Sequence, residues 1–291
     1  MQNDILKRLI ILLVILLVGG GISVAGGDGG ARYVTIPVFI ICGAWAFLIN
    51  WIAFVPANAA QTEKFYDVVG SLTYLSVIGL ALLLTPQLSD RALIAAAMVI
   101  IWALRLGTFL FIRINQDGHD NRFDEIKVNP SRFFIAWSIQ ALWVLVTAAC
   151  ALAIITGGNQ APVNMVGMLG IVIWVVGFII EVVADWQKRT FRRNPYNKGK
   201  FINSGIWSWS RHPNYFGEIT LWFGMAVMAI PILSGGQWVT LISPIFVVFL
   251  LTKVSGIPTL AKKSKERWGD DADYQAYLAN TSLLIPLPPK K

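Results

Sequence analysis

Glu63, Tyr66, Asp67, Gly70, Ser71 and Tyr74 recur at three- and four-residue intervals, the spacing that lines side chains along one face of a helix. Carboxyl and phenol groups aligned in this way can donate and accept protons. The opposite face, with Val68, Val69, Leu72 and Leu75, is apolar. Inside a bilayer each charged group costs about 2.5–3.5 kcal/mol at mid-span and persists where it faces a cavity or a partner. Glu63, Tyr66, Asp67 and Tyr74 are therefore the candidate catalytic residues. The plainer reading is a helix end among headgroups, with small-residue packing at Gly70 and Ser71.

A second concentration of chemistry lies at residues 181–218. It holds Lys188, Arg189, Arg192, Arg193, Lys198, Lys200 and Arg211, with no acid between Trp186 and Arg211. Such a stretch wants an anion, either a lipid headgroup or a cofactor phosphate. Glu181 and Asp185 share a helical face one turn apart and can pair with Lys188, Arg189 or Arg192. The stretch ends in Arg211-His212-Pro213-Asn214-Tyr215-Phe216-Gly217-Glu218. Pro213 at a helix start leaves amides facing an anion, and Arg211 adds charge. Glu218, inside an apolar helix, needs a hydrogen-bond donor such as a ribose or an amide. Arg105, eight residues deeper in its segment than Arg113, calls for an anionic partner. The loop after it, Gly118-His119-Asp120-Asn121-Arg122-Phe123-Asp124, is richer in charge than a connector requires, although His119 by itself reads as a solvated loop residue.

The elements that must position these groups are membrane helices. Of 291 residues, 56% are hydrophobic and 14% charged, with a mean hydropathy of +0.62, too apolar for an ordinary water-soluble domain. About eight apolar segments reach the roughly 20 residues needed to cross a bilayer. They fall at 5–24, 34–55, 66–85, 92–113, 133–155, 163–185, 215–230 and 238–253. The expected fold is an all-α polytopic bundle of seven to eight transmembrane helices, forming one domain. The first segment has signal-peptide character, with Lys7 and Arg8 before an apolar run and Ser23-Val24-Ala25 after it, but is preferred as an uncleaved helix. Residues 262–291 read as an amphipathic tail helix.

The net charge of +8 sits in loops between spans, which points to positive-inside topology with both termini and the basic loops cytoplasmic. Nucleic acid is not an expected partner. Cys42 and Cys150 lie within apolar runs, and no metal-ligand spacing occurs.

The stretch from Asp185 to Glu218 resembles the integral-membrane steroid 5α-reductase family, especially its bacterial branch formerly labelled a domain of unknown function. Trp102-Ala-Leu-Arg105-Leu-Gly107 and the Gly118–Asp124 loop are similar to that branch as well. The resemblance covers roughly residues 67–286. It implies NADPH as cofactor and a Δ4-3-oxo steroid or related enone lipid as a small hydrophobic substrate entering from the bilayer. Hydride would go to C5 and a proton to C4 while an acid polarises the 3-oxo group. Asn214 and Glu218 match cofactor contacts, Asp185 and Arg192 match nucleotide-binding positions, and Arg105 matches an arginine near the phosphates. Lys253 falls near another cofactor arginine. Arg122, Arg211, His212 and Tyr215, in the same motifs, complete the candidate cofactor set. The chain departs from the family at Trp102, where the better-known members place a tyrosine, and at Glu181, where they have asparagine. The polarising acid is then expected at Asp67, with Glu63, Tyr66 and Tyr74 beside it.

Two other classes remain open. An S-adenosylmethionine-dependent membrane methyltransferase carries a close variant of the octapeptide, but its methyl donor has no phosphate to match the arginines. A non-catalytic sterol- or lipid-binding protein would use the basic loops on membrane lipid headgroups. A monomer is expected in each case.

Overall fold

The computed structural model describes residues 2–117 and 120–289. Gly118 and His119 of the polar loop lie outside the described residues. Backbone amides and carbonyls in hydrocarbon must pair within their own segment, and the described elements are nearly all helical. They run α1 (Gln2–Gly26), β1 (Arg32–Tyr33), β2 (Ile36–Pro37), α2 (Val38–Ala59), α3 (Tyr66–Leu84), α4 (Asp90–Asp117), α5 (Asp124–Lys127), α6 (Pro130–Thr147), α7 (Ala149–Thr156), α8 (Met165–Arg193), α9 (Pro213–Ala229), α10 (Ile242–Phe249), α11 (Ile257–Trp268) and α12 (Ala272–Asn280). The two strands form a small antiparallel hairpin.

Among the described residues seven helical segments are long and apolar enough to cross a membrane, and α6 with α7, bent by 55°, makes an eighth if counted as one span. The protein is a multi-pass, all-α membrane protein. Helix α8 runs on to Arg193, beyond the apolar run that ends at 185. The expected single tail helix is instead two, α11 and α12. Asp271 caps the second by accepting from the amides of Asp273 and Tyr274, which starts a new helix where the first stops.

The contacts divide the chain into two compact units. The first comprises Met1–Gly167 and Ala229–Ser243. In it Gly19 and Gly26 of α1 sit directly on the rings of Phe47 and Phe39 of α2. Helices α3 and α4 approach closely at Ser71 and Gly107, where a Cβ on Gly107 would lie 2.8 Å from that of Ser71. Gln140 of α6 donates to Asn50 Oδ1 and to the Tyr66 carbonyl, both at 3.0 Å, and Asn50 donates to Thr73 Oγ1 at 3.2 Å. These buried groups tie α2, α3 and α6 together in a medium where each would otherwise be costly. The break between α6 and α7 coincides with the Ser243 hydroxyl donating to the Thr147 carbonyl at 2.6 Å. A side chain entering the helix ladder is a known cause of such bends.

The second unit comprises Met168–Met228 and Pro244–Lys291. Its helices α8 and α9 meet backbone to backbone through glycines spaced by seven. A Cβ on Gly170 would lie 2.5 Å from the Met228 nitrogen, one on Gly177 2.5 Å from that of Leu221, and one on Gly217 2.6 Å from that of Glu181. Only glycine permits this approach. Beyond α12 the chain is irregular, and its residues hydrogen-bond to residues 209–211: the Arg211 amide donates to the Ser282 carbonyl at 2.8 Å and the Leu287 amide to the Trp209 carbonyl at 3.0 Å.

Candidate functional site

In the second unit, candidate cofactor residues lie on α8 (Asp185, Arg192), at the start of α9 (Arg211, His212, Asn214, Tyr215, Glu218) and at Lys253, whereas Arg105 and Arg122 belong to the first unit. Glu181, Asp185, Lys188 and Arg192 follow one another at helical spacing on α8. Glu181 is buried, and its backbone nitrogen lies against Gly217, one residue before Glu218. The Lys188 ammonium rests 4.6 Å from the centre of the Trp207 ring, while the Trp207 indole donates to the Ala184 carbonyl at 3.0 Å. The loop is thus fixed to the helix by a ring that also holds a cation.

Ser210 is wholly buried and acts as the hinge pin of the next segment. Its hydroxyl donates to the Leu284 carbonyl at 2.7 Å and accepts from the His212 amide at 3.1 Å. Tyr277 of α12 donates to the Trp207 carbonyl at 2.7 Å. Burial, only partly relieved by the Arg211 charge, raises the Tyr277 phenol above its usual range, so it remains a donor. Arg211 is held by its backbone, and its buried Nε has no hydrogen-bond partner. An orphaned guanidinium nitrogen beside the first turn of α9, whose leading amides have no carbonyl four residues back, fits an anion such as a cofactor phosphate.

His212 stacks on Tyr215, with centroids 5.4 Å apart and 9° between planes. Tyr215 in turn lies against Gly256, where a Cβ would come within 2.9 Å of its ring. Just before Gly256, Lys253 lies in a π-helical turn, Leu250–Val254, a departure from regular helix often seen at functional sites. Burial, with the charges of Lys188 and Arg211, pushes His212 down to about 4. Its ring is therefore neutral near pH 7. Between pH 6.5 and 4 the unfolded chain binds the proton that the folded chain refuses, so stability is full above 6.5 and falls as the pH drops. Thermal unfolding across this window is expected to show that loss, and H212Q to flatten it.

In the first unit, α3 begins at Tyr66, preceded by a turn in which Gln61 takes a positive φ of 48°. Glu63 therefore precedes the helix and does not continue its polar face, a correction to the periodic reading. Its carboxylate accepts from the Asp120 amide at 3.0 Å and from Lys127 Nζ at 2.7 Å. Burial alone would raise the Glu63 pKa, but these donors outweigh it and hold the acid below its usual range. Arg122 pairs with Asp120. Burial disfavours its charge, yet Asp120, Asp67 and Tyr66 more than offset this, which puts Arg122 in the electrostatic environment of the candidate catalytic residues.

Tyr66 packs among Phe123, Trp137 and Val69, and its hydroxyl donates to the Ala136 carbonyl at 2.9 Å. Asp67 is half-buried, one turn before the Ser71–Gly107 approach, and Tyr74 lies one turn beyond it. The Tyr74 ring stands edge-on to Trp102, 5.1 Å between centroids. A phenol is thus present against the very side chain that replaces the expected tyrosine, supplied by α3 rather than α4. Arg105 lies 5.8 Å from the centre of the Phe109 ring.

Residues 53–281 match the protein family described as "Protein of unknown function (DUF1295)". The chain belongs to that family. Proteins similar to this DUF1295 member include the following three. A "Probable O-methyltransferase" of Ustilaginoidea virens is 34% identical over 90 residues, 31% of this chain and 30% of its own length. An uncharacterised protein of Schizosaccharomyces pombe is 24% identical over 162 residues, 46% and 47% of the two chains. The rat "3-oxo-5-alpha-steroid 4-dehydrogenase 1" is 28% identical over 119 residues, 41% and 40%. The matches thus span a third to a half of these relatives. No solved structure matches the chain significantly.

Proposed function

We propose that this DUF1295 member is an NADPH-dependent reductase of a Δ4-3-oxo steroid or related enone lipid taken from the bilayer. The observation that carries the reading is the buried, unpartnered Arg211 Nε at the start of α9, on a segment that also presents His212, Asn214, Tyr215 and Glu218. Likeness to a rat 3-oxo-5-alpha-steroid 4-dehydrogenase adds support. Arg211, with Arg192 and Lys253, would hold the phosphates, Asp185 and Glu218 would take ribose or amide donors, and the neutral His212–Tyr215 pair offers a flat aromatic wall. When bound, NADPH supplies the hydride that reduces the enone.

The chain's own part is to polarise the carbonyl and deliver a proton. Asp67, half-buried in the first turn of α3, is the proposed acid. Tyr74 offers a second hydroxyl two turns along the same face. Arg105 and Arg122 remain candidates for the anionic part of the cofactor, and the positive charge of the loops supports a cytoplasmic side for it.

Purified protein is expected to bind NADPH and to oxidise it when progesterone or a similar enone is added. R211Q should weaken NADPH binding by roughly 10- to 150-fold, the worth of a buried hydrogen bond to a charged group, measured by titration calorimetry. Undiminished binding in R211Q would remove the observation on which the assignment rests.

A second reading has one specific support, the likeness to a "Probable O-methyltransferase". Transfer of a labelled methyl group from S-adenosylmethionine to membrane lipid or prenylcysteine, with no NADPH binding, would establish it in place of the first.

A further inference from the structure

The end of α8 has two faces, and only one belongs to the candidate cofactor site. At 100° per residue Lys188 and Arg192 lie within 60° of Asp185 around the helix axis, whereas Trp186, Gln187, Thr190 and Phe191 lie 100–160° from it. On this second side the helix and residues 202–205 enclose an open groove of about 280 Å³, lined by Trp186, Gln187, Thr190, Phe191, Ile202 and Ser204. The groove is built rather than accidental. Gln187 Oε1 accepts from the Ile206 amide at 3.0 Å, and Gly205, at φ +61°, brings the loop so near that a Cβ there would lie 2.4 Å from that oxygen.

Its depth can be read from the helix. Starting at Met165, about 20 residues at 1.5 Å each span the roughly 30 Å hydrocarbon core, which brings the helix to the interface near Asp185. Trp186 to Phe191 then occupy the next ~9 Å, the headgroup layer. Trp186 is 63% exposed and Tyr196 87%, the placement typical of aromatic residues at a membrane interface. The stretch that joins the groove's two walls, from Phe191 to Ile202, carries the exposed cations Arg193, Lys198 and Lys200, with no acid between Trp186 and Arg211.

We propose that this groove binds an anionic phospholipid, its phosphate met by Arg193, Lys198 and Lys200, its glycerol region by the Thr190, Ser204 and Gln187 side chains, and the start of an acyl chain by Trp186 and Ile202. The site is separate from the α8 face assigned to the cofactor and does not depend on that assignment. Apolar wall, short polar side chains and surplus positive charge at headgroup depth together match an anionic lipid better than a zwitterionic one or a free anion.

The full chain in detergent is titrated with phosphatidylglycerol, phosphatidylcholine or inorganic phosphate, and retained lipid is counted by native mass spectrometry. Wild type is expected to retain phosphatidylglycerol over phosphatidylcholine, without displacement by inorganic phosphate. Reversing Lys198 and Lys200 to Glu should lower that retention by about fivefold or more for each charge. S204W, which fills the groove, should abolish it while NADPH-dependent thermal stabilisation persists. Equal retention of the two lipids, displacement by inorganic phosphate, or undiminished phosphatidylglycerol binding in S204W overturns the proposal. Should S204W fail to fold, the wild-type lipid preference and the Lys198→Glu, Lys200→Glu pair still decide it.

Discussion

Gly177→Ala is expected to destabilise the second unit by roughly 1–3 kcal/mol, the usual result of forcing a methyl group into a closed contact, and Gly177→Leu to prevent α8 and α9 from docking. The reason is geometric. The new Cβ would stand 2.5 Å from the Leu221 nitrogen and 2.7 Å from the Gly217 carbonyl oxygen, and both are backbone atoms that cannot rotate aside. The helices must separate, and because Glu181 lies against Gly217, that separation shifts the α8 face that carries Asp185 and Arg192. Loss of NADPH-induced stabilisation should therefore accompany the lower unfolding temperature. Gly79→Ala is the matched control: a Cβ there meets nothing within 4 Å, and in mid-helix alanine is favoured over glycine by about 1 kcal/mol. If the two variants unfold alike, the glycine contact is not what holds α8 to α9.

Asp67→Asn is expected to lower enone-dependent NADPH oxidation by about 10²–10⁴-fold, the usual contribution of a positioned general acid, with NADPH affinity unchanged. Asparagine keeps the size and a donor but cannot release a proton. Tyr74→Phe is expected to have a smaller effect, because that phenol is buried against Trp102 whereas Asp67 is half-buried. The discriminating measurement is kcat beside the Kd for NADPH in each variant. A rate loss in Tyr74→Phe that exceeds the loss in Asp67→Asn would transfer the proton to the phenol. Equal loss of rate and NADPH affinity in Asp67→Asn would make its role structural.

The spans were legible because twenty apolar residues in a row have few other fates, and the polar face of α3 was legible because period is a local property. Glu63 shows the limit. Its spacing matched that face, but its carboxylate is taken by Lys127 and the Asp120 amide, partners far along the chain that no periodicity reveals. The bend after Thr147 is of the same kind, since it coincides with a hydroxyl from Ser243. At the second concentration of charge, Arg211 and His212 could be picked out by type. Ser210, which fixes them through Leu284, could not, because a serine in a loop carries no sign that its partner lies at the end of the chain. The heptad of glycines, Gly170 with Gly177 and Gly217 with Gly224, was open to view in the sequence. Reading it required knowing that those two helices are neighbours.

The strap from Thr281 to Leu287 gives the site an order of assembly. The Arg211 amide and the Ser210 hydroxyl are tied down by the carbonyls of Ser282 and Leu284. Synthesis runs from the N-terminus, so the described spans precede the strap and can be inserted while residues 210 and 211 are still unanchored. A variant cut at residue 280 would keep those spans and lose both ties.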